Sequence, residues 1–162
     1  IYTVLKRLQV PDLSIKWPND ILSGTSKVCG ILIESKIQGT LIDTSIIGVG
    51  LNVNQLNFVN LENASSLRCI LGKTFDLDEL LIQIVDALKT LFLQKNDKGI
   101  GFLWDVYESA LFKKGMPMTF ENDMAEKFVG SIKGVSGDGK LMIAIDKDSI
   151  KSFDLKEVKL LY

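Results

Sequence analysis

The sequence has no histidine and only two cysteines in 162 residues. Without histidine there can be no Ser-His or Cys-His nucleophilic pair. Cys29 and Cys69 stand far apart and outside any Cys-x-x-Cys spacing, well short of the roughly four Cys or His ligands of a structural zinc site, so no metal site is expected. Unpaired cysteines of this kind are usual in a reducing compartment. Arginine is scarce too, with Arg7 and Arg68 alone. No apolar run approaches the ~20 residues that span a membrane, and no signal-peptide pattern opens the chain. An excess of one charge is also missing: 19 Lys and Arg face 20 Asp and Glu, for a net charge of −1. That balance gives no basic stripe for nucleic acid. The expectation is a cytoplasmic protein that binds neither membrane nor nucleic acid. What is present is a hydrophobic fraction of 46% with eight Phe and two Trp, ample for a packed core.

The chain opens on Ile1, and Tyr2, Leu5 and Leu8 recur like the last turns of an amphipathic helix. We therefore expect further sequence upstream. Val10-Pro11-Asp12 breaks that helix, because proline disfavours helix in the residue before it. Leu13 to Trp17 reads as a short strand closed by Pro18-Asn19-Asp20, and Ile21 to Ser26, with Gly24, as a hairpin turn. Strands are expected over Val28–Glu34 and Thr40–Asn54, separated by Gln38-Gly39, all as antiparallel neighbours. Gln55 to Ser66 reads as a mobile loop. Asp76 and Glu79 make a capping signal ahead of a helix over Leu77–Gln94. A second helix is expected over Ile100–Phe112, with Lys113 and Lys114 suiting its negative end and Gly115 closing it. From Met116 onward short alternating runs (Met116–Phe120, Lys127–Val135, Leu141–Ile145, Ser149–Leu155, Val158–Leu161) are separated by Gly and Asp turns, among them Asp138-Gly139 and Asp146-Lys147-Asp148. That texture predicts a small barrel and a boundary near Gly115.

Three segments carry candidate chemistry: Lys16-Trp17-Pro18-Asn19-Asp20, Lys27-Val28-Cys29-Gly30-Ile31-Leu32-Ile33-Glu34, and Gly48-Val49-Gly50-Leu51-Asn52-Val53-Asn54. Antiparallel pairing would bring Lys27 to the rim that holds Lys16 and Asp20, giving two cations and one carboxylate. Such a rim can bind a phosphate or a carboxylate, and Gly48 and Gly50 would let a ligand approach the backbone. A plainer account stands beside this one. Edge lysines discourage sheet association, Pro-Asn-Asp is an ordinary turn, Gly-x-Gly can mark a bulge, and Trp17 can be core. The residues alone reach an α+β domain with an anion-friendly rim.

Taken jointly, KWPND, KVxGILIE and GVGLNVN resemble the catalytic domain of biotin–protein ligases. Ala64-Ser65-Ser66-Leu67 and Leu111-Phe112-Lys113-Lys114-Gly115 extend the resemblance over nearly the whole chain. The fold this implies is α+β: part of the mixed sheet with helices seen in class II aminoacyl-tRNA synthetases and biotin synthetases, over residues 1–114, then an SH3-like β-barrel over 115–162. The implied reaction joins biotin to ATP as biotinyl-5'-AMP and passes the biotinyl group to a lysine of a biotin carboxyl carrier protein. ATP and biotin are then substrates, with Mg2+ held mainly by the ATP phosphates, and a homodimer is the implied assembly. By resemblance Lys27 contacts the biotin carboxyl and the adenylate phosphate. Asp20 stands near the incoming acceptor amine. Lys16, Trp17, Asn19, Gly30 and Ile31 line the substrate end, and Gly48, Gly50, Asn52 and Asn54 the nucleotide end. The family's Arg- and Gly-rich loop ahead of KWPND is missing from these residues, so this chain by itself is expected to have little or no activity. A lipoate–protein ligase, or a non-catalytic docking or dimerisation module of the same fold, are the competing readings.

Overall fold

The computed structural model describes residues 1–59, 61, 63–146 and 149–162. It contains two compact units, Ile1–Ile100 and Gly101–Tyr162. The first begins with α1 (Tyr2–Arg7) and continues through β1 (Leu13–Lys16), β2 (Asp20–Ser23), β3 (Ser26–Gln38) and β4 (Leu41–Leu51), then α2 (Leu67–Leu71) and α3 (Leu77–Lys98). Its four strands pair in sequence order, every ladder antiparallel. Among the described residues the mixed character expected of this sheet is confined to an isolated parallel bridge, Lys27 to Ala64.

Residues 21–23, expected to be part of a turn, form β2. The turn itself shrinks to Gly24 and Thr25, where Gly24 takes a φ of +59°. At the β2–β3 ladder Ile21 pairs with Cys29 and Leu22 with Lys27, so Val28 is an extra residue that bulges β3. The core gathers Val4 and Leu5 of α1, Ile21, Val28, Cys29, Leu67, and Leu80 and Ala87 of α3. Burying a Leu or Ile fully is worth about 1.5–3 kcal/mol, which is why the short α1 holds its place. Asp76 caps α3 as expected, its Oδ1 accepting from the N–H groups of Asp78 and Glu79.

Beyond Ile31, β3 and β4 run on as a two-stranded ribbon. The cross-strand pairs Ile33–Ile47, Ser35–Ser45 and Ile37–Ile42 share one face with the pair of buried Cys29 and half-buried Leu51, since side chains alternate along a strand. That face starts inside the core and ends in solvent, with Ile37 and Ile42 each 67% exposed. The other face carries Gly30 opposite Gly50, Leu32 opposite Gly48, and Glu34 opposite Ile46.

The second unit holds α4 (Gly101–Ser109) and β5 (Pro117–Asn122), β6 (Lys127–Val135), β7 (Leu141–Ala144), β8 (Ile150–Phe153) and β9 (Val158–Leu161). The strands order as β8-β7-β6-β5-β9. Among the described residues the two outer strands do not pair, so the ladder is an open five-stranded sheet where a barrel was expected. Phe120, fully buried, stacks on Phe128, and Phe128 on Phe153, at 5.5 and 5.7 Å between centroids. The Asp138-Gly139 turn joins β6 to β7, with Gly139 at φ +89°.

The second compact unit begins with α4, which Glu108 ties to its sheet. One carboxylate oxygen of Glu108 accepts the Val135 N–H at 2.7 Å, and the other pairs with Lys114. A Cβ on Gly134 would stand 2.6 Å from that carboxylate, so only glycine admits it. The helix accordingly stops at Ser109, short of the expected Phe112, and Lys114 folds back instead of capping it. The expected turn Asp146-Lys147-Asp148 lies, for Lys147 and Asp148, outside the described residues. Among the described residues no helix is long and apolar enough to cross a membrane.

Candidate functional site

The hairpin of β1 and β2 sets Lys16 opposite Asp20, and β3 brings Lys27 to the same rim. Lys27 Nζ lies 2.6 Å from Asp20 Oδ1 and Lys16 Nζ lies 4.0 Å from Asp20 Oδ2. Asp20 is the most enclosed of the three, its side chain 17% exposed against 45% for Lys27. Two ammonium groups around one carboxylate leave a net charge of about +1, suited to an incoming carboxylate or phosphate.

Gly30, paired with Asp20 across the ladder, makes room for this cluster. A Cβ there would sit 3.1 Å from both Cε and Nζ of Lys27 and 3.6 Å from Asp20 Oδ1. Asn19 clasps the next residue: its Nδ2 donates to the Ile31 carbonyl at 2.8 Å, and its own carbonyl accepts the Ile31 N–H at 2.9 Å. The Ile31 side chain, by contrast, packs against the core. Trp17 is half-buried in the connection from β1 to β2, next to a cis bond with Pro18.

Gly50 faces Gly30 across β3 and β4, and Gly48 lies two residues further out on the same face. A Cβ at either would meet only ordinary contacts, no nearer than 3.6 Å. Among the described residues nothing demands glycine at these two positions. Asn52 and Asn54 part company. Both ends of the Asn54 amide bind the Phe75 backbone, donating to its carbonyl at 2.8 Å and accepting its N–H at 3.0 Å. Asn52 donates through Nδ2 to the Ser65 carbonyl at 3.0 Å.

The segment from Asn63 to Ser66 was expected to be part of a mobile loop, although Ala64-Ser65-Ser66-Leu67 entered the family resemblance. Its described residues are held firmly, while Asn60 and Glu62 of that loop lie outside the described residues. The Lys27 N–H donates to the Asn63 carbonyl at 2.6 Å and the Ser65 N–H to the Lys27 carbonyl at 3.0 Å. Ser66, fully buried, caps α2 by accepting the Cys69 N–H, and Gly72 closes that helix in the left-handed conformation. A Ser ahead of Leu67 with Gly72 after Leu71 was the available signal for α2. Among the described residues no group of three or more His, Cys, Asp or Glu is placed to hold a metal ion. The one carboxylate of the cluster is already engaged by lysine.

Comparison with known proteins bears on this arrangement. The biotin/lipoate A/B protein ligase family matches residues 4–52, a stretch that contains Lys16, Asp20, Lys27 and Gly30. The bifunctional ligase/repressor BirA of Bacillus subtilis is 28% identical over 153 residues, covering 90% of this chain. The apo biotin protein ligase of Aquifex aeolicus superposes with a TM-score of 0.77 at 27% identity, covering 99% of this chain and 70% of its own. In sequence and fold this chain is similar to biotin protein ligases. A biotin–[acetyl-CoA-carboxylase] ligase of Paracoccus denitrificans is 26% identical over 136 residues, covering 81% of this chain and 56% of its own length. The Aquifex ligase has also been solved with biotin and ATP bound. The chain spans 46% of the length of the Bacillus relative.

Proposed function

We propose that this chain carries the lysine-bearing part of the ligand site of a biotin protein ligase. The observation that carries the reading is the Lys16–Asp20–Lys27 cluster, with Gly30 leaving the space for it and Gly50 opposite. In the proposed reaction a biotin carboxylate oxygen attacks the α-phosphate of ATP, and pyrophosphate leaves. A lysine amine of a biotin carboxyl carrier protein then attacks the acyl carbon of biotinyl-5'-AMP, forming an amide, releasing AMP and giving up a proton. The protein's task is to bring two anions together and neutralise the charge that develops.

In this reading Lys27 binds the carboxylate and then the adenylate phosphate, and Lys16 adds positive charge at the same rim. Asp20 orients Lys27 and receives the acceptor amine. Trp17 and Asn19 border the substrate end, as does Ile31 through its backbone, while Gly48 and Gly50 admit the nucleotide side. Asn52 flanks that side. The engagement of Asn54 with Phe75 favours a supporting role for Asn54 over a ligand contact. Mg2+ would arrive with ATP, since the cluster offers it no second carboxylate. Residues 1–114 are read as the later part of the catalytic domain and 115–162 as an SH3-like domain whose sheet, among the described residues, stays open. The protein is taken to work in the cytoplasm. The exposed β4 edge offers pairing to a second copy.

The activity is proposed for the whole ligase, and the 162-residue chain alone is expected to show little or none. The test is biotin-dependent ATP–pyrophosphate exchange by the full-length protein, with lipoate in parallel. Exchange with biotin, lost at least a hundredfold in Lys27→Ala, is expected. Exchange with lipoate only, or full activity in Lys27→Ala, would overturn the reading. Robust exchange by the 162-residue chain alone would overturn the expectation for the fragment.

A further inference from the structure

The hydrogen bonds around residues 63–67 join Lys27 to Asn52, which stand close together at the end of the β3–β4 ladder, where the Asn52 N–H also donates to the Val28 carbonyl at 2.8 Å. Lys27 stands at the bulged end of β3, beyond Leu51, the last residue of β4. Past that point the Asn52 N–H still reaches the Val28 carbonyl, and residues 63–65 take the place beside Lys27. They receive the Lys27 N–H at the Asn63 carbonyl, return the Ser65 N–H to the Lys27 carbonyl, and bridge in parallel at Ala64. On its other side this strap is held by Asn52. The Asn52 carbonyl accepts the Leu67 N–H at 3.0 Å, and the side-chain Nδ2 donates to the Ser65 carbonyl at 3.0 Å. A carbonyl can only accept, so the NH2 end of the amide must face Ser65.

We propose that Asn52 is a positioning residue for Lys27, acting through the main chain of residues 63–65; its importance to catalysis rests on the ligase reading above. The Lys27 ammonium reaches Asp20 from a backbone fixed on one side by β2 and on the other by the strap. Removing the Asn52 donor frees the Ser65 carbonyl and with it the strap's grip on Lys27. In the ligase reading, contact on the nucleotide side and placement of the lysine would meet in this one side chain.

The test is amide exchange and side-chain NMR on the 162-residue chain without ligand, so it stands whatever the substrate proves to be. Asn52→Ala and Asn52→Asp both remove the donor, and Asp keeps the acceptor. In both variants the Lys27 and Ser65 amides should exchange about tenfold faster, the scale of one lost hydrogen bond. The Lys27 ammonium signal should weaken with them, while the Leu5 amide stays within about twofold of wild type. Asn54→Ala removes a comparable side-chain clamp, on Phe75, and should leave Lys27 unmoved. Wild-type protection of Lys27 in Asn52→Asp would overturn the proposal. So would a disturbance of Lys27 by Asn54→Ala as large as that by Asn52→Ala. Should Asn52→Ala fail to fold, the contrast of Asn52→Asp with Asn54→Ala decides.

Discussion

The two sheets spend their apolar residues differently. In the second unit the strands are four to nine residues long and bury one face of their open sheet, with Phe120, Ile132, Val135, Leu141 and Ile143 all buried. In the first, β3 and β4 run for 13 and 11 residues, and only their root is sealed. Cys29 is wholly buried, whereas Ile33, four residues along the same face, is 59% exposed. One sheet completes its core within the described residues. The other continues the same hydrophobic face beyond anything described here that covers it, which is the pattern of a surface built to meet more polypeptide.

The sharpest way to break this contrast is to truncate each sheet in turn. Phe120→Ala should cost the second unit about 3–5 kcal/mol, read as lost native NMR dispersion from β5 to β9 or as a lower urea midpoint. A change below about 1 kcal/mol would mean that this unit is not held by its own interior. The next effect concerns what ties α4 to that unit. Glu108→Gln removes the charge that Val135 and Lys114 share and should cost about 1–3 kcal/mol, with exchange at the Val135 amide rising first.

A smaller effect should appear at the sealed root of β3. Burial pushes the Cys29 thiol up from about 9 to about 11. The folded state therefore holds that proton more tightly than the unfolded chain. Its contribution to stability is whole below pH 9 and is lost as pH rises through about 11. Urea titrations from pH 8 to 11 should show this decline, and Cys29→Ala should flatten it. In the native chain at pH 8 a thiol reagent should label the exposed Cys69 and leave Cys29 intact. The smallest effect belongs to the open end of the ribbon. Ile42→Ala should change stability by no more than about 0.5 kcal/mol, while Ile42→Lys should lower self-association measured by light scattering. A large destabilisation by Ile42→Ala would show that the ribbon face is covered after all.

Much of this was legible beforehand, and the failures have identifiable causes. Strong periodicity located α3, and β6 falls at Lys127–Val135 as the alternation predicts. The meeting of Lys16, Asp20 and Lys27 followed from two short antiparallel connections. β2 was missed because a four-residue strand between two turns leaves too short a run for periodicity. The Val28 bulge was hidden for a related reason. It puts Lys27 and Gly30, three apart, on one face, where regular alternation would separate them. The strap was missed because its partners are backbone atoms of distant residues, and hydrogen bonds of that kind leave little trace in residue type. The role of Gly30 was half legible: the sequence marks a glycine, but only the geometry shows that the space belongs to Lys27 itself.

The strap also sets an order of events during synthesis. The contact of Lys27 with Asp20 lies within a hairpin and can form as soon as that hairpin leaves the ribosome. The backbone hold on Lys27 must await Asn63, 36 residues later, and closing so long a loop is slow compared with forming a hairpin. A nascent chain halted before residue 63 would thus display the charged cluster with its lysine still loosely tethered. The last step in making this rim is the arrival of a stretch that contributes no charge to it.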